Sequence, residues 1–176
     1  SGATLVASDK NPIDAVWTDQ PPPPLAPVVP HAIQFAGRAS ADKRRDLART
    51  LAKNGLDAVV LTASESIAWL LNIRGGDVRR TPLPLSFAIV GADAGVDLFI
   101  DPRKVAPGLG EHLGDDVRPA PREAFGPALD RLGGAGKAVG LDPDTSPSWA
   151  LDRARRSGAR IVDGADPCLL PKARKN

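Results

Sequence analysis

The chain has very few of the residues on which covalent cross-links and catalytic centres usually depend. It has one cysteine in 176 residues, which excludes an internal disulfide framework and suggests a reducing compartment. Its two histidines, His31 and His112, lie far apart, and neither belongs to a metal-ligand spacing such as HExxH. We therefore expect neither a catalytic residue nor a metal ligand within this sequence.

Nucleophile motifs are missing as well. No GxSxG elbow surrounds any serine. Cys168 has no histidine near it in sequence, and a nucleophilic cysteine needs a base, so we interpret Cys168 as a small buried residue. The glycine-rich residues 133–136 precede a predicted strand rather than joining a strand to a helix, so they predict a turn and not a phosphate cradle.

The chain also lacks a charge excess and a long apolar run. Lys and Arg total 23 against 21 Asp and Glu, and a net charge of +2 is too small to indicate nucleic acid or an acidic membrane surface. The longest uncharged stretch, residues 20–37, contains six prolines and could not form a membrane helix. No signal-peptide pattern opens the chain. We expect a soluble, cytoplasmic protein with neither a nucleic-acid nor a membrane partner.

Methionine is absent altogether, so the sequence carries no initiator of its own. Residues 171–176 form a polar tail without a turn or capping signal. We expect an excised domain of a longer protein, whose function lies partly in other residues. A mature, processed protein is the alternative.

What the sequence does contain is an ordinary globular composition, 42% apolar and 25% charged, in a length that suits one large domain. Beyond residue 39, predicted strands alternate with predicted helices. Helices are predicted at residues 42–53, 64–72, 122–132 and 146–157, and strands at 57–62, 85–90, 96–100, 137–141 and 160–162, with a weak strand at Val117. A turn at residues 91–95 predicts an antiparallel hairpin. The predicted fold class is α/β, a mixed and mostly parallel sheet of about five to six strands flanked by helices.

We divide the chain into three parts. Residues 1–39 are an N-terminal arm or linker, in which four consecutive prolines at 21–24 favour an extended polyproline II conformation. A stiff connector is favoured over a ligand for a proline-binding module, because apolar residues that flank the run are expected to anchor it to the core: Trp17, Leu25, Val28 and Val29. Residues 40–171 form the α/β domain, and residues 172–176 begin a further linker.

The main positive signal is the run Arg74-Gly75-Gly76-Asp77, directly after a predicted apolar helix. Two glycines allow a sharp turn and a close approach to another surface. Arg74 offers a fork of donors for a carboxylate or carbonyl, and Asp77 could pair with Arg74 or with a cation. A helix-ending loop with a local salt bridge is the plainer interpretation, although exposed salt bridges add little stability.

A series of separated motifs surrounds this run in a fixed order. They are NPIDAVW at 11–17, DQPPPP at 19–24, SIAWLLNIRG at 66–75, DV at 77–78, TP at 81–82, and Lys172 with Lys-Asn at 175–176. With these motifs the chain, from Asn11 onward, resembles the creatinase/prolidase N-terminal-type domain, specifically the middle domain of the three-domain aminopeptidase P (Xaa-Pro aminopeptidase) family. Gly76 stands where the family is expected to have serine, and Arg174 where cysteine or valine is more usual.

The resemblance implies a creatinase/prolidase N-terminal-domain-like fold and a non-catalytic, accessory role in a metallopeptidase. A pita-bread catalytic domain with a dinuclear manganese or zinc centre would follow residue 176, so no cofactor is expected in this chain. The implied partners are that C-terminal catalytic domain, peptide substrates with proline in second position, and a second copy of the full-length enzyme as a homodimer.

The same resemblance makes Arg74 and Asp77 candidates for the substrate cleft, which domains of this type help to wall while they also form oligomer contacts. Arg74 would bind a substrate backbone group or a carboxylate of the catalytic domain. Asp77 would fix the loop or bind a substrate amine, and Gly75 and Gly76 would shape the loop.

Two other functions stay open. One is a free-standing, small-ligand-binding or regulatory α/β module. The weaker one is nucleic-acid binding through four cations of a single predicted helix: Lys43, Arg44, Arg45 and Arg49. Those charges are typical of a solvated helix face, and no interleaved aromatic residues support base stacking.

Overall fold

A six-stranded sheet forms the centre of the computed structural model, which describes residues 2–4, 6 and 11–174. In chain order, the helices and strands are α1 (Pro12–Val16), β1 (Val29–Pro30), α2 (Ile33–Ala36), α3 (Ser40–Lys53), β2 (Ala58–Leu61), α4 (Ser64–Leu71), β3 (Ile73–Arg74), β4 (Phe87–Gly91), β5 (Val96–Phe99), α5 (Leu109–Leu113), β6 (Val117–Ala120), α6 (Phe125–Gly134), β7 (Ala138–Leu141), α7 (Ser148–Arg156), β8 (Arg160–Asp163) and α8 (Leu169–Ala173). Short 3₁₀ helices cover Pro102–Lys104 and Arg122–Ala124.

The six strands lie in the order β6-β5-β4-β2-β7-β8. Strand β4 runs antiparallel to both of its neighbours, and the other three pairings are parallel. The predicted mixed, mostly parallel α/β sheet is therefore confirmed, as is the hairpin of β4 and β5. In its turn the backbone N–H of Gly91 donates to the carbonyl of Gly95 at 2.9 Å.

Two hydrophobic cores, one on each face of the sheet, follow from the period-two alternation of its strands. Val59 and Leu61 of β2 pack into the core that contains apolar residues of α3, α4 and α5. Ala58 and Val60, the alternate residues, pack with α6 and α7. All four side chains are buried, which explains the uninterrupted apolar run that predicted this strand.

Helix starts differ from the sequence prediction. Helix α3 begins at Ser40, two residues before its predicted start at residue 42, and the preceding Ala39 supplies no side-chain cap. Residues 122–132, predicted as one helix, begin with the 3₁₀ turn Arg122–Ala124 before α6. In that turn the N–H of Ala124 donates to the carbonyl of Pro121 at 2.9 Å, a bond that spans three residues instead of four.

The proline-rich arm contacts the domain through fewer residues than predicted. Val28 is buried, but Trp17, Leu25 and Val29 keep more than two fifths of their surface exposed, so their predicted anchoring is wrong. The arm is held mainly by its backbone. The N–H of Val28 donates to the carbonyl of Lys104 at 2.9 Å, and β1 pairs antiparallel with β3. Because these contacts use backbone atoms, they do not require the side chains of the arm to be buried.

The division of the chain at residues 39 and 171 stays a prediction. Strand β1 of the predicted arm pairs with β3 of the predicted domain, and α8 extends across residue 171. Lys175 and Asn176, which the family resemblance also uses, lie outside the described residues. Among the described residues, no helix combines the length and the apolar character needed to cross a membrane.

Candidate functional site

The run from Arg74 to Asp77 is placed by backbone pairing at the end of β3. Arg74 lies opposite Val29 in the pairing of β1 with β3. The N–H of Gly75 donates to the carbonyl of Pro82 at 3.3 Å, and that of Asp77 donates to the carbonyl of Leu83 at 3.2 Å. The loop therefore folds back on the residues that lead into β4, and this fixes its path.

Gly75 meets a steric requirement in this loop. A Cβ atom on Gly75 would lie 2.8–2.9 Å from three atoms of Pro84, two of them backbone atoms. Only glycine allows so close an approach of two backbone segments. At Gly76 a Cβ atom would meet a single neighbour, the Cβ of Ala26, at 3.1 Å. Of the two predicted loop-shaping glycines, Gly75 has the stronger geometric reason.

Asp77 is enclosed and does not face the surface. Its side chain has no exposed area and forms an ion pair with Lys104, whose side chain is 3% exposed. One carboxylate oxygen also accepts from the backbone N–H of Leu85 at 2.6 Å. This position fits the predicted role in fixing the loop. It does not fit the alternative role, since an enclosed carboxylate cannot reach a substrate amine.

Arg74 keeps most of its hydrogen-bonding capacity. One amino group of the guanidinium donates to the carbonyl of Ile73 at 2.9 Å, and the described residues provide no ion pair for it. Asp77, its predicted partner, is paired with Lys104 instead. Partial burial lowers the pKa of Arg74 from its ordinary value. A half-buried guanidinium with unused donors is suited to hold an anion or a carbonyl oxygen.

The side chain of Arg74 lines an open cavity of about 440 Å³. The cavity lies between the arm, α3, α4 and α8, and we call it the Arg74 cavity. Its polar and aromatic lining includes His31, Lys43, Trp69, Arg74, Lys172 and Arg174. Among the described residues that line it, four are Lys or Arg and none is Asp or Glu.

Lys43 is the buried cation of this cavity. The residue is only 3% exposed, and its ammonium donates to the carbonyl of Trp69 at 2.8 Å and to Oδ1 of Asn72 at 2.7 Å. It also lies 4.5 Å from the centre of the Trp69 ring. Burial first, and then repulsion by Arg74 and Arg38, lower the pKa of Lys43 to about 8.

The burial of Lys43 corrects the picture of a wholly solvated helix face. Arg44, the next residue, is 4% exposed, and it donates to the carbonyl of Ala94 at 2.8 Å. Arg45 and Arg49 are exposed and pair with carboxylates of their own helix. The four cations thus do not share one surface, which removes the basis for a nucleic-acid contact through α3.

Asn72 is one of the residues of this site that the sequence did not single out. It ends α4 in the left-handed conformation, with φ 52° and ψ 51°. Its side-chain amide donates to the carbonyl of Arg38 at 2.8 Å, and its own carbonyl accepts from the N–H of His31 at 2.7 Å. The asparagine at a helix end was a usable signal, because Asn tolerates this backbone conformation better than most residues.

The two histidines and the cysteine of the chain contact neighbouring backbone and side-chain groups of the fold. His112 lies 3.1 Å from the carbonyl of Leu71, and Cys168 is buried as predicted. His31 stacks on Phe35 at the rim of the Arg74 cavity. Desolvation, Arg74 and Lys43 together lower its pKa.

Within the described residues, no group of three or more His, Cys, Asp or Glu could hold a metal ion, so these residues do not fit a dinuclear centre.

Comparison with known proteins gives consistent matches. The family model of the Creatinase/Prolidase N-terminal domain matches residues 19–176. A probable Xaa-Pro aminopeptidase P of Aspergillus niger is 32% identical over the whole of this chain, which corresponds to 30% of that protein. Aminopeptidase P1 of Lotus japonicus is 38% identical over 71% of this chain and 19% of its own.

A solved structure supports the same assignment. The X-prolyl aminopeptidase of Caenorhabditis elegans, described as a cytosolic enzyme with a di-nuclear active site, superposes with a TM-score of 0.87 at 26% identity. The match covers 97% of this chain and 28% of that one. The chain thus spans less than a third of the length of these relatives. On the family match, the sequence identity and the shared fold, it belongs to the Creatinase/Prolidase N-terminal domain family.

Proposed function

We propose that this chain is the non-catalytic accessory domain of a cytoplasmic Xaa-Pro metalloaminopeptidase, where it walls the substrate cleft and forms oligomer contacts. The observation that carries the proposal is the extent of the matches. The whole chain aligns with about 30% of a Xaa-Pro aminopeptidase P, and its fold superposes on 28% of a structurally characterised relative. The rest of the polypeptide would supply the metal centre and the chemistry.

Within this role, Arg74 is the residue proposed to reach the cleft. Its guanidinium has unused donors, it lacks a carboxylate partner in the described residues, and the pairing of β1 with β3 fixes its backbone. A positioned guanidinium can bind a substrate carbonyl or a carboxylate of the catalytic domain. Asp77 and Lys104 would contribute indirectly by holding the loop that follows Arg74.

The direct test is kinetic, in the longer polypeptide that carries this domain. Arg74→Ala is expected to lower kcat/KM for peptides with proline in second position by about tenfold or more, because it removes a charged contact to the substrate or to the site. Arg45→Ala, an exposed arginine of α3, is the matched control and should leave kcat/KM unchanged. An unchanged value for Arg74→Ala, with the fold intact, would remove Arg74 from the cleft.

A second experiment separates the accessory role from catalysis by this chain alone. The purified 176-residue chain is expected to release no amino acid from Xaa-Pro peptides in the presence of manganese or zinc. Adding the chain to a separately produced catalytic portion is expected to restore turnover or to form a stable complex. Turnover by this chain above the blank would contradict the proposal, and the absence of any complex would favour the free-standing module.

A further inference from the structure

We propose that the Arg74 cavity is a binding site for an organic carboxylate, with Lys43 and Arg74 as the groups that hold the anion. The inference begins with charge. Lys43, Arg74, Lys172 and Arg174 line one cavity without a carboxylate among its described lining residues. Within the described part of the chain, Lys172 forms an ion pair with Glu65 at 3.7 Å, which lies outside the lining, and the other three cations form none. A bound anion would offset the mutual repulsion of these four cations.

The burial of Lys43 makes the cluster more than a patch of surface cations. Lysine is almost never fully buried unless it is paired. The ammonium of Lys43 has two hydrogen-bond acceptors, a carbonyl and an amide oxygen, and both are neutral. An ammonium has three donors, and beyond these two acceptors that of Lys43 contacts the face of the Trp69 ring, 4.5 Å from its centre, so it offers a ligand its charge and at most one further donor. Arg74 adds the planar donors that match a carboxylate.

The shape and the walls of the cavity favour an organic acid over an inorganic anion. A volume of about 440 Å³ exceeds the needs of a phosphate ion and lies within the range of small-molecule sites. Trp69 and Phe35 provide aromatic walls next to the cations. A ligand with one carboxylate and an apolar body would use both features. The C-terminal carboxylate of a peptide and an Asp or Glu side chain of a packed polypeptide share this chemistry.

The carboxylate site rests on and deepens the role proposed above for Arg74, but its test measures binding to this chain without catalysis, so its failure is distinguishable from failure of the kinetic test. N-acetylproline is titrated at constant ionic strength, with Trp69 fluorescence and Tm as readouts, in a Trp17→Phe/Trp149→Phe background. Saturable binding is expected with a Kd of about 1 mM, near −4 kcal/mol. N-acetylprolinamide, which lacks the charge, should bind at least about tenfold more weakly. Equal binding of acid and amide would overturn the proposal.

Variants assign the binding to named residues. Arg74→Gln and Lys43→Met should each weaken binding of N-acetylproline by about tenfold, whereas Arg45→Gln on the same helix as Lys43 should leave it unchanged. Arg74→Gln keeps the test decisive if Lys43→Met does not fold, because Arg74 is only half buried. Equal loss in Arg45→Gln would show a non-specific charge effect and overturn the site.

Two further probes identify the source of the carboxylate. N-acetylaspartate with both backbone ends blocked carries its only charge on the side chain, whereas N-acetylproline carries it at the C-terminus. Tighter binding of the blocked N-acetylaspartate indicates a side chain of a packed polypeptide, and tighter binding of N-acetylproline indicates a peptide terminus. Either result supports a carboxylate site. Inorganic phosphate that binds more tightly than both would overturn the choice of an organic acid.

Discussion

Lys104 and Asp77 form an ion pair in which neither side chain has more than 3% of its surface exposed. The ammonium also donates to the carbonyl of Leu85 at 3.3 Å, and Asp77 accepts from the N–H of the same residue at 2.6 Å. The second oxygen of Asp77 is buried without a hydrogen-bond partner in the described structure. The pair therefore joins the loop after Arg74 to the 3₁₀ helix after β5, with little solvent to screen it.

Breaking this pair from one side should be costly. Lys104→Met leaves the Asp77 carboxylate buried and uncompensated, and we expect the free energy of unfolding to fall by roughly 3–5 kcal/mol. Urea denaturation followed by far-UV circular dichroism measures the loss. The double variant Lys104→Met/Asp77→Asn should lose much less than the sum of the single variants, because it leaves no lone charge.

The neighbouring Arg103 provides the matched control. It pairs with Asp101, but its side chain is 66% exposed, so Arg103→Met should change stability only slightly. If Arg103→Met costs as much as Lys104→Met, the burial of the Lys104–Asp77 pair does not determine its contribution.

Glycine substitutions test the path of the same loop. Gly75→Ala places a Cβ atom against the backbone of Pro84, which cannot move aside as a flexible side chain would. We expect a loss of about 1–3 kcal/mol in the free energy of unfolding, typical of overpacking. Gly76→Ser, which introduces the residue expected from the family resemblance, meets only the Cβ of Ala26 and should cost less than about 1 kcal/mol. The reverse order would contradict the close approach at Gly75.

The sheet was predictable because its signals are local. The apolar run of β2 and the glycine turn between β4 and β5 are visible within a few residues, and each strand needs only its own pattern to be recognised. The strands β1 and β3 have two residues each and exist because they pair with each other. A two-residue segment has no periodicity, so sequence reasoning missed both, together with the short helices of the arm.

The candidate site was predictable only in part, for a similar reason. Arg74 and Gly75 stand out as residue types in a short run. The structure places Gly75 against Pro84 and Arg74 on a cavity, and the assignment of Arg74 to a substrate cleft stays a prediction. Lys43 and Lys104 carry no such signal, because an amphipathic pattern assigns charged residues to solvent. Their burial depends on Asn72 and Asp77, which lie 29 and 27 residues away in the sequence.

Cys168 should be inert in the folded protein. The residue is 1% exposed, and burial, with the nearby Asp166, raises the pKa of its thiol far above the ordinary value. Because the thiolate is the reactive form, we expect no reaction of the native protein with a thiol-specific disulfide reagent at pH 8 over an hour or so, and stoichiometric reaction in urea. Absorbance of the thiol released from the reagent measures the extent of reaction in the native protein and in urea. Rapid labelling of the native protein would show that the segment around Cys168 opens easily.

The proposed carboxylate site predicts a pH dependence with a definite sign. A bound anion favours the protonated form of Lys43, so affinity is highest below the pKa of about 8 and falls as pH rises through it. Loss of one proton lowers affinity by up to about tenfold per pH unit above that value. Within the described residues, the charged and titratable groups that line the two cavities around Lys43 are His31, Arg38, Asp46, Arg74, Cys168, Lys172 and Arg174. The arginines stay charged. The lowered pKa values of Asp46 and His31 and the raised pKa of Cys168 keep the charges of these three groups nearly constant over pH 7–9.

Two substitutions assign this titration to Lys43. Lys43→Arg keeps a cation that does not titrate below pH 12, so it should retain binding of N-acetylproline with a flat profile between pH 7 and 9. Lys43→Met should bind weakly at every pH in that range. Kd is measured by Trp69 fluorescence at fixed ionic strength for the three proteins. If affinity falls in Lys43→Arg as steeply as in the wild type, another group titrates, and Lys43 is not the residue that couples carboxylate binding to the proton.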